Sequence, residues 1–285
     1  MITIQECVAS ARQRLRDAGI PGDEADLDAR LLAEHVLKWD AARLLTHAAE
    51  PEPARFAEQY GEVVTRRAAR EPMAYVLGRQ EFWGLDFEVS PAVLIPRPET
   101  ELIVEAALAA FPDSKTPLDI ADVGAGSGCL AVALAHERPK ARVVAIDLSR
   151  AALEVARRNA VRHRVAARIE LAEGDLLAGI NRAFDLIVSN PPYVPNRDRA
   201  TLPPEVRDHE PHGALFAGDD GLSVIRRLVD HAVARLKPAG LLIVEFGFGQ
   251  ADAVKALITQ TPGLSLLEVR RDLQGIPRVA ISRGT

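Results

Sequence analysis

Between residues 119 and 258, short apolar runs alternate with longer amphipathic stretches, and this alternation restricts the fold more than any other feature of the chain. The apolar runs suit strands that are buried on both faces, and the stretches between them suit crossover helices. Such alternation is typical of an α/β fold with a doubly wound, mostly parallel sheet. The predicted strands are residues 119–123, 142–146, 168–171, 185–189 and 241–246, and the predicted helices are residues 127–136, 149–163, 222–236 and 250–258.

Two more apolar runs close the chain, at residues 266–270 and 278–281. The connection between them is too short for a parallel crossover, so they are predicted to form an antiparallel hairpin. The sheet is therefore expected to have seven strands.

Residues 1–80 have a helical rather than an alternating pattern and are predicted to form a small bundle. The first helix is predicted from apolar positions on one face, Ile4, Val8, Ala11 and Leu15. The second is predicted to be capped by Asp23 and to bury the stripe Leu27, Leu31, Leu32 and Val36. Further helical pieces are expected at Leu44 and from Phe56. The charges of this region are interpreted as a solvated surface, with partner recognition as the alternative.

Residues 81–100 are predicted to be a β-hairpin linker between this bundle and the sheet domain, which is expected to span residues 101–285. Residues 81–87 and 92–95 are short aromatic or apolar runs, with Ser90-Pro91 as the expected turn. The segment Pro96-Arg97-Pro98 follows, and it suits either a stiff linker or the rim of a pocket.

The composition argues against several classes of protein. With 285 residues, of which 48% are hydrophobic and 26% charged, the chain resembles a soluble globular protein. A net charge of −5 disfavours a protein that coats nucleic acid. Cys7 and Cys129 have no CxxC spacing, so neither a disulfide scaffold nor a zinc module is expected. Without a signal-peptide pattern or a membrane-length apolar run, the protein is expected to be cytoplasmic, with no metal and no membrane partner.

The tetrapeptide Asn190-Pro191-Pro192-Tyr193 directly follows the predicted fourth strand. Ligands of open α/β sheets bind at the carboxyl ends of strands, where this tetrapeptide is expected. The prolines lack N–H groups and fix φ, so the turn is stiff. The side-chain oxygen of Asn190 and the backbone oxygen of Pro191 are therefore predicted to accept both hydrogens of a planar NH2 group. A plain proline turn is the alternative.

The glycine loop Gly124-Ala125-Gly126-Ser127-Gly128 follows the first strand of the sheet. Its glycines allow the backbone to approach a ligand in front of a helix N-terminus. Asp147 ends the second strand, where a carboxylate accepts ribose hydroxyls. Asp175 and Leu176 follow the third strand and are expected to bracket an adenine ring. Each alone also suits a strand-end cap or an exposed carboxylate, but together with Asn190 they predict an adenosine site.

This pocket resembles that of class I S-adenosylmethionine-dependent methyltransferases that modify planar nitrogen, and nearly the whole chain resembles the release-factor glutamine methyltransferases. The motifs that carry the closer resemblance are Tyr75 to Gly78, Glu81 to Trp83, Leu94 to Glu101, the glycine loop, Asn190 to Tyr193, His209 to Pro211, Ala214-Leu215 and Gly218 to Leu222. The Arg-Pro-Glu-Thr-Glu and His-Glu-Pro pieces are the most specific, because DNA and RNA amino-methyltransferases share the Asn-Pro-Pro-Tyr piece. Ala125 stands where threonine is more usual, and Val194 where isoleucine is common.

The resemblance implies a Rossmann-like domain that binds S-adenosyl-L-methionine and releases S-adenosyl-L-homocysteine. It implies methylation of the glutamine side-chain nitrogen (N5) in the Gly-Gly-Gln tripeptide of class-1 peptide-chain release factors. The implied catalytic residues are Asn190, Pro191 and Tyr193, and the implied substrate contacts are these three with Pro192, Arg97, Glu99 and Glu210. The implied cofactor contacts are Gly124, Ala125, Gly126, Ser127, Gly128, Asp147, Asp175, Leu176 and Asn190. The helical domain is implied to recognise the release factor, and a monomer without stable nucleic acid is expected.

Three other functions remain as alternatives. A DNA adenine or rRNA amino-methyltransferase would use the same acceptor pair, but the acidic balance and the absence of a basic recognition domain disfavour it. A nucleotide-binding regulator without catalysis would need only the glycine loop and Asp147, which leaves the double proline unexplained. A dinucleotide-dependent oxidoreductase is disfavoured by the spacing of the glycine loop.

The remaining polar residues give weaker signals. By resemblance, His209 and Glu210 order the loop around the substrate, although alone they are typical of exposed positions. Glu245 is interpreted as a strand terminus, and Cys129 as a small packing residue rather than a reactive thiol. The basic run of residues 157–164 is interpreted as charge near a helix C-terminus rather than a nucleic-acid patch.

Overall fold

A computed structural model describes residues 2–285 and divides the chain into two compact units. One unit contains the residues up to Gly78 together with Pro203–His209, and the other contains Arg79–Leu202 and Glu210–Thr285. The assignment of Pro203–His209 to the first unit was not foreseen from the sequence. The domain limits of 1–80, 81–100 and 101–285 stay a prediction. No helix within residues 2–285 is long and apolar enough to cross a membrane.

The helices are α1 (Ile4–Asp17), α2 (Gly22–Leu37), α3 (Ala41–His47), α4 (Phe56–Ala68), α5 (Met73–Leu77), α6 (Glu101–Ala110), α7 (Cys129–Glu137), α8 (Arg150–Arg162), α9 (Pro204–His209), α10 (Ser223–Val233) and α11 (Ala251–Gln260). The strands are β1 (Arg79–Phe82), β2 (Leu85–Glu88), β3 (Asp119–Val123), β4 (Arg142–Asp147), β5 (Ile169–Glu173), β6 (Phe184–Ser189), β7 (Leu236–Glu245), β8 (Leu264–Arg271) and β9 (Pro277–Gly284).

The helical unit packs α1 to α5 around its own apolar core. The first predicted helical face is confirmed, because Ile4, Val8, Ala11 and Leu15 are all buried. The stripe predicted for α2 was partly wrong, since Leu27 is 45% exposed whereas Asp28 is buried. Asp28 can be buried because Arg67 of α4, itself 1% exposed, donates to its carboxylate at 2.7 Å.

The start of α2 also differs from the prediction. Asp23 does not cap the helix. The helix begins at Gly22, directly after Pro21, and Asp23 lies within its first turn. Pro21 needs no N–H donor and keeps φ near −52°, so it suits the position before the helix. The negative charges of Asp23 and Glu24 remain favourable there because they face the positive end of the helix dipole.

The predicted hairpin exists, but its strands and turn were placed wrongly. It pairs β1 with β2, and the two-residue turn is Trp83-Gly84. Both turn residues have positive φ, at 55° and 68°, the geometry that matches the right-handed twist of a two-residue hairpin. Residues 92–95 are not a strand, because the chain turns at Pro91 and Val93 N donates back to Ser90 O.

The predicted seven-stranded sheet is confirmed within the described residues, in the order β5-β4-β3-β6-β7-β9-β8. Strand β9 runs in the opposite direction to the other six strands and pairs antiparallel with β7 and β8, as expected for the closing hairpin. Strand β7 begins earlier than predicted, at Leu236. The Lys237 ammonium contacts Asp119 at 2.7 Å and Asp185 at 2.8 Å, which joins the amino-terminal ends of three strands.

Alternating residues of the sheet enter two separate cores, as expected for strands buried on both faces. Ile120, Val143 and Leu186 pack with α6 and α7 on one face. Ala121, Val144 and Ile187 pack on the other face, where α10 and α11 contribute Leu228 and Val254 among others. The order reverses at β3, which lies between β4 and β6, so the crevice at the carboxyl ends of these strands is the topological switch point of the sheet.

Candidate active site

A cavity opens at this switch point, and its lining comes from segments that follow β3, β4, β5 and β6, together with residues from the ranges 92–100, 211–214 and 224–227. The glycine loop, the end of β4, the residues after β5 and the first residues after β6 all contribute. Its polar and charged lining residues include Thr100, Ser127, Asp147, Asp175, Asn190 and Arg227.

The glycine loop takes the backbone geometry that its sequence suggests. Gly124, Gly126 and Gly128 have φ values of 78°, 54° and 77°, a region that residues with a Cβ rarely adopt. A Cβ on Gly128 would lie 3.0 Å from the Cβ of Ala156, so this glycine also permits close packing of α7 against α8. The cavity lining includes the first four residues of the loop, Gly124, Ala125, Gly126 and Ser127. Gly128 lies outside the lining formed by the described residues.

Asp147 holds the loop against the end of β4. Its Oδ2 accepts from Gly126 N at 2.8 Å, and its Oδ1 accepts from Ser149 N at 2.8 Å. Each carboxylate oxygen has a second lone pair, so both can also accept from a ligand hydroxyl. Asp147 therefore fixes the loop beside it, and its contact with a ribose stays a prediction.

Asp175 and Leu176 lie on the lining as predicted, but Asp175 has a partner that the sequence did not reveal. Its carboxylate forms an ion pair with Arg227 of α10, a cavity-lining residue itself. Leu176 is half-buried and has φ of 54°, so an apolar side chain is held beside the carboxylate. Ile146 and Leu148 add apolar surface to the same wall.

Asn190 begins the tetrapeptide after β6, and its side chain is oriented by a buried chain of hydrogen bonds. Asn190 Nδ2 donates to Thr100 Oγ1 at 2.9 Å, and Thr100 Oγ1 donates to Glu245 Oε2 at 2.7 Å. Tyr193 OH donates to the other oxygen of Glu245 at 3.2 Å. Thr100 and Glu245 are 2% and 1% exposed. One buried carboxylate thus anchors the side chains on both sides of the prolines.

Burial raises the pKa of several ionisable side chains in and around the site. It raises the pKa of Glu245 to about 7, although hydrogen bonds from Thr100 and Tyr193 favour the charged form. Burial likewise raises the pKa of Asp122 to about 7, against a hydrogen bond from Ala131 N. The pKa of the Tyr193 hydroxyl is also raised by burial and by the neighbouring Glu245. Desolvation raises the pKa of the Cys129 thiol to about 12, which fits a packing residue.

The chain after Asn190 is fixed by contacts with two later segments. Gln250 Nε2 donates to Tyr193 O at 2.9 Å and to Asp220 O at 3.2 Å. Val194 N donates to Leu215 O at 2.8 Å, so the strand-like geometry continues past the tetrapeptide. A Cβ on Gly221 would overlap the Tyr193 carbonyl, so only glycine fits there.

Glu210 is buried at 3% exposure rather than solvated as it would be in a free loop. Its carboxylate pairs with Arg97 and accepts from Ile95 N at 3.2 Å. These contacts hold the loop after α9 against the segment before α6. Both segments contribute to the cavity lining, through Pro211 and Pro96. His209 is exposed.

The structure therefore brings together most of the predicted residues, but in two layers. On the lining lie Asn190, Pro192, Asp147, Asp175, Leu176 and four residues of the glycine loop. Behind or beside it, among the described residues, lie Gly128, Pro191, Tyr193, Arg97, Glu99 and Glu210. The roles assigned to all these residues from the sequence stay predictions.

Sequence reasoning missed the supporting role of three buried polar residues. Thr100 and Glu245 orient Asn190, as described above. Asn159 of α8, fully buried, donates to Ser127 O and Glu88 O, both at 2.9 Å, and accepts from Glu88 N at 2.7 Å. In the sequence, Asn159 is a single asparagine within a basic run and gives no signal. Its role becomes visible only in the structure, where the side chain is buried with a complete set of hydrogen-bond partners.

Comparison with known proteins adds independent evidence. Residues 6–78 match the family model described as PrmC N-terminal domain, and residues 100–202 match the methyltransferase small domain. A release factor glutamine methyltransferase from Bradyrhizobium diazoefficiens is 43% identical over 284 residues, which cover 98% of this chain and 95% of that protein. This chain belongs to the release factor glutamine methyltransferase family. A family member of the same name from Geobacter sulfurreducens is 44% identical and covers 99% of this chain and 96% of its own length.

A solved structure agrees on the fold. The T. thermophilus 16S rRNA N2 G1207 methyltransferase, determined in complex with AdoMet and guanosine, superposes with a TM-score of 0.52 at 20% identity. The match covers 73% of this chain and 50% of that one. At this identity the likeness shows the shared methyltransferase fold alone.

Proposed function

We propose that this protein transfers a methyl group from S-adenosylmethionine to the side-chain amide nitrogen of the glutamine in the Gly-Gly-Gln tripeptide of class-1 release factors. The observation that carries the proposal is the orientation of Asn190. Its amide nitrogen is engaged by Thr100, which leaves Oδ1 as the acceptor beside a nucleoside-type cavity. The family to which the chain belongs supplies the identity of the acceptor protein.

The cavity residues fit the cofactor chemically. A ribose needs acceptors for two hydroxyls, which Asp147 offers, and an adenine needs apolar walls, which Ile146, Leu148 and Leu176 offer. The start of α7 behind the glycine loop adds a helix N-terminus with backbone N–H groups. When bound, S-adenosylmethionine supplies an electrophilic methyl group and leaves as S-adenosylhomocysteine.

The acceptor nitrogen needs help because the lone pair of an amide is delocalised into its carbonyl group. Asn190 Oδ1 and Pro191 O would accept its two hydrogens and orient the nitrogen. Positive charge develops on the nitrogen during transfer, so both hydrogen bonds strengthen in the transition state, and this difference lowers the barrier. The nitrogen then loses a proton to water, so no strong base is required. Tyr193, held through Glu245 and Gln250, would pack against the bound amide or sulfonium.

We assign recognition of the release factor beyond the tripeptide to the helical unit. This assignment rests on family resemblance and is best tested without truncation. Removing the N-terminal helices would leave Glu205 without Arg67 and Arg70, which contact its carboxylate at 2.9 and 2.7 Å. A comparison of an intact release factor with a short Gly-Gly-Gln peptide avoids this problem. The proposal expects a much lower kcat/KM for the peptide, and equal values would contradict it.

A nucleic-acid amino-methyltransferase is the second candidate, and two observations disfavour it. The chain has a net charge of −5. Within the basic run, Arg157, Arg158 and Arg162 form ion pairs with Glu154, Glu88 and Asp86, so their charges are partly neutralised. We further propose that the enzyme works in the cytoplasm as a monomer, without stable binding to nucleic acid or membrane.

The test offers labelled S-adenosylmethionine with a class-1 release factor, duplex DNA and ribosomal RNA in parallel. The proposal expects label in the release factor, and loss of that label when the Gly-Gly-Gln glutamine is changed to alanine. Label in nucleic acid alone would overturn the choice of substrate. Thermal stabilisation by S-adenosylhomocysteine but not by NAD is expected in the same preparation, and the reverse would exclude methyl transfer.

A further inference from the structure

The carboxylate that ends β7 is connected to the cavity through a single hydroxyl group. Glu245 lies at the end of its strand, Thr100 lies just before α6, and Asn190 follows β6. The distances are 2.7 Å from Thr100 Oγ1 to Glu245 Oε2, and 2.9 Å from Asn190 Nδ2 to Thr100 Oγ1. Thr100 and Asn190 line the cavity, whereas Glu245 is buried behind them.

When Glu245 is ionised, the chemistry of these three groups fixes the direction of every hydrogen bond. An ionised carboxylate can only accept, so the single hydroxyl hydrogen of Thr100 must point to Glu245. Toward Asn190, the Thr100 oxygen then has only lone pairs to offer. The atom of the Asn190 amide that faces Thr100 must therefore be the NH2 group. The orientation of this amide follows from the network, independently of how an amide oxygen and nitrogen are told apart.

We propose that Glu245 and Thr100 are positioning residues that set the polarity of the Asn190 amide, so that Oδ1 rather than Nδ2 is presented to the substrate. The role deepens the proposed function, on which it rests. With Thr100 unable to accept, the amide could rotate and present its NH2 group to the NH2 group of the substrate. Two donors would then face each other, and the acceptor pair would lose one member.

Glu245 also holds Tyr193 through its second oxygen, so both ends of the tetrapeptide depend on one carboxyl group. The charged and titratable groups that interact with Glu245 include Glu99, Arg278, Tyr193 and Cys129. A protonated Glu245 carries a hydrogen of its own and can donate to Thr100, whose hydroxyl hydrogen would then be free to point to Asn190. The network would run in the opposite direction, and the amide would favour the inactive orientation.

The first test compares Thr100→Val, Thr100→Ser and Thr116→Val. Valine keeps the shape of threonine but removes the hydroxyl, serine keeps the hydroxyl, and Thr116 bonds to Asp113 away from the site. We expect Thr100→Val to lower kcat roughly 10–100-fold, the range common for residues that orient a functional group. Thr100→Ser is expected to recover most of that loss. The dissociation constant of S-adenosylhomocysteine should change by less than about threefold, because the substitution affects an interaction with the acceptor amide in the transition state rather than binding of the cofactor. Thr116→Val should behave as the wild type.

Two outcomes of that comparison would overturn the proposal. Equal losses in Thr100→Val and Thr100→Ser would mean that the hydroxyl is not the operative group. A parallel collapse of S-adenosylhomocysteine binding in Thr100→Val would mean that the residue supports the cavity in general rather than the polarity of one amide.

The second test needs no substrate. The side-chain NH2 resonances of Asn190, assigned by their loss in Asn190→Ala, report its hydrogen bond to Thr100 directly. We expect faster hydrogen exchange of this group in Thr100→Val and in Glu245→Gln than in the wild type.

We also expect kcat of the wild type to fall as pH drops below about 7, and we expect this acidic decrease of the pH–rate profile to be absent in Glu245→Gln. Unchanged exchange in both variants would overturn the proposal, even if methylation of the release factor were established. Absence of that methylation in the wild type would instead contradict the proposed function, whereas the exchange test would still report on the orientation of the Asn190 amide.

Discussion

Asp147 Oδ2 accepts a hydrogen bond from Gly126 N at 2.8 Å, so the residue predicted to bind the ribose also holds the glycine loop. Replacing Asp147 with alanine removes both contacts, and replacing it with asparagine keeps one acceptor. Charge-assisted hydrogen bonds contribute about 1.5–3 kcal/mol each, so the loss of even one ribose contact in Asp147→Ala should weaken binding of S-adenosylhomocysteine by at least roughly 10-fold. Asp147→Asn should lie between that variant and the wild type. Isothermal titration calorimetry measures this order, and an unchanged dissociation constant in Asp147→Ala would argue against a ribose contact.

Gly221 gives a sharp test of how the tetrapeptide is held. A Cβ at this position would overlap the Tyr193 carbonyl and approach Gln250 Nε2 to 2.6 Å. Gly221→Ala should therefore displace Tyr193 and lower both the melting temperature and the rate of methylation. Gly249→Ala is the matched control, since Gly249 also has a positive φ, of 79°, but open space at its Cβ. The control should show only backbone strain of about 1–2 kcal/mol. Equal effects of the two variants would contradict the proposed clash.

Arg67 is the central charge of the helical unit. It contacts Asp28 at 2.7 Å, Glu24 at 2.6 Å and Glu205 at 2.9 Å, and it is 1% exposed. Removing one partner of a buried ion pair costs about 3–5 kcal/mol, so Arg67→Ala should strongly lower the free energy of unfolding. Arg16→Ala is the control, because the pair of Arg16 with Asp26 is exposed and should contribute less than about 1 kcal/mol. Urea denaturation followed by circular dichroism measures both. Similar values for the two variants would show that burial of Arg67 adds little.

The raised pKa of Asp122 predicts that stability falls as pH rises. In the folded protein this pKa is about 7, whereas the unfolded carboxyl has an ordinary pKa of about 4. Between these values the folded state binds the additional proton. The stabilising contribution is thus fully present below about pH 4 and is lost as pH rises through about 7. Asp122→Asn, which keeps an acceptor for Ala131 N, should flatten the decrease in melting temperature between about pH 5 and 8. An unchanged slope would contradict the assignment.

Most of the sheet domain was predictable because periodicity is a local signal. Every predicted strand of the main sheet was confirmed, and β3 has the predicted limits at Asp119 and Val123. The glycine loop and the tetrapeptide could be placed at the carboxyl ends of strands because topology alone brings those ends together. The errors came from contacts between residues distant in sequence. Leu27 is exposed because the buried ion pair of Asp28 and Arg67 turns another face of α2 inward.

The positioning layer of the site was not predictable for a similar reason. Glu245 and Thr100 are 145 residues apart, and each has an ordinary local explanation as a strand end or a helix start. Their hydrogen bond exists only once β7 and the segment before α6 are packed together. Glu210 likewise has the sequence context of an exposed loop, yet it is buried by Arg97 and Ile95, 113 and 115 residues away.

Tandem mass spectrometry, which locates the transferred methyl group, is the decisive test of the proposed reaction. A class-1 release factor would be incubated with S-adenosylmethionine and either the wild type or Asn190→Ala, after both proteins have been shown to bind S-adenosylhomocysteine. We expect the wild type to methylate the side-chain nitrogen of the Gly-Gly-Gln glutamine. In Asn190→Ala we expect a decrease of at least about 100-fold in the rate of methylation, because a group that stabilises the transition state is removed. A methyl group on any other residue, or undiminished methylation by Asn190→Ala, would contradict these expectations.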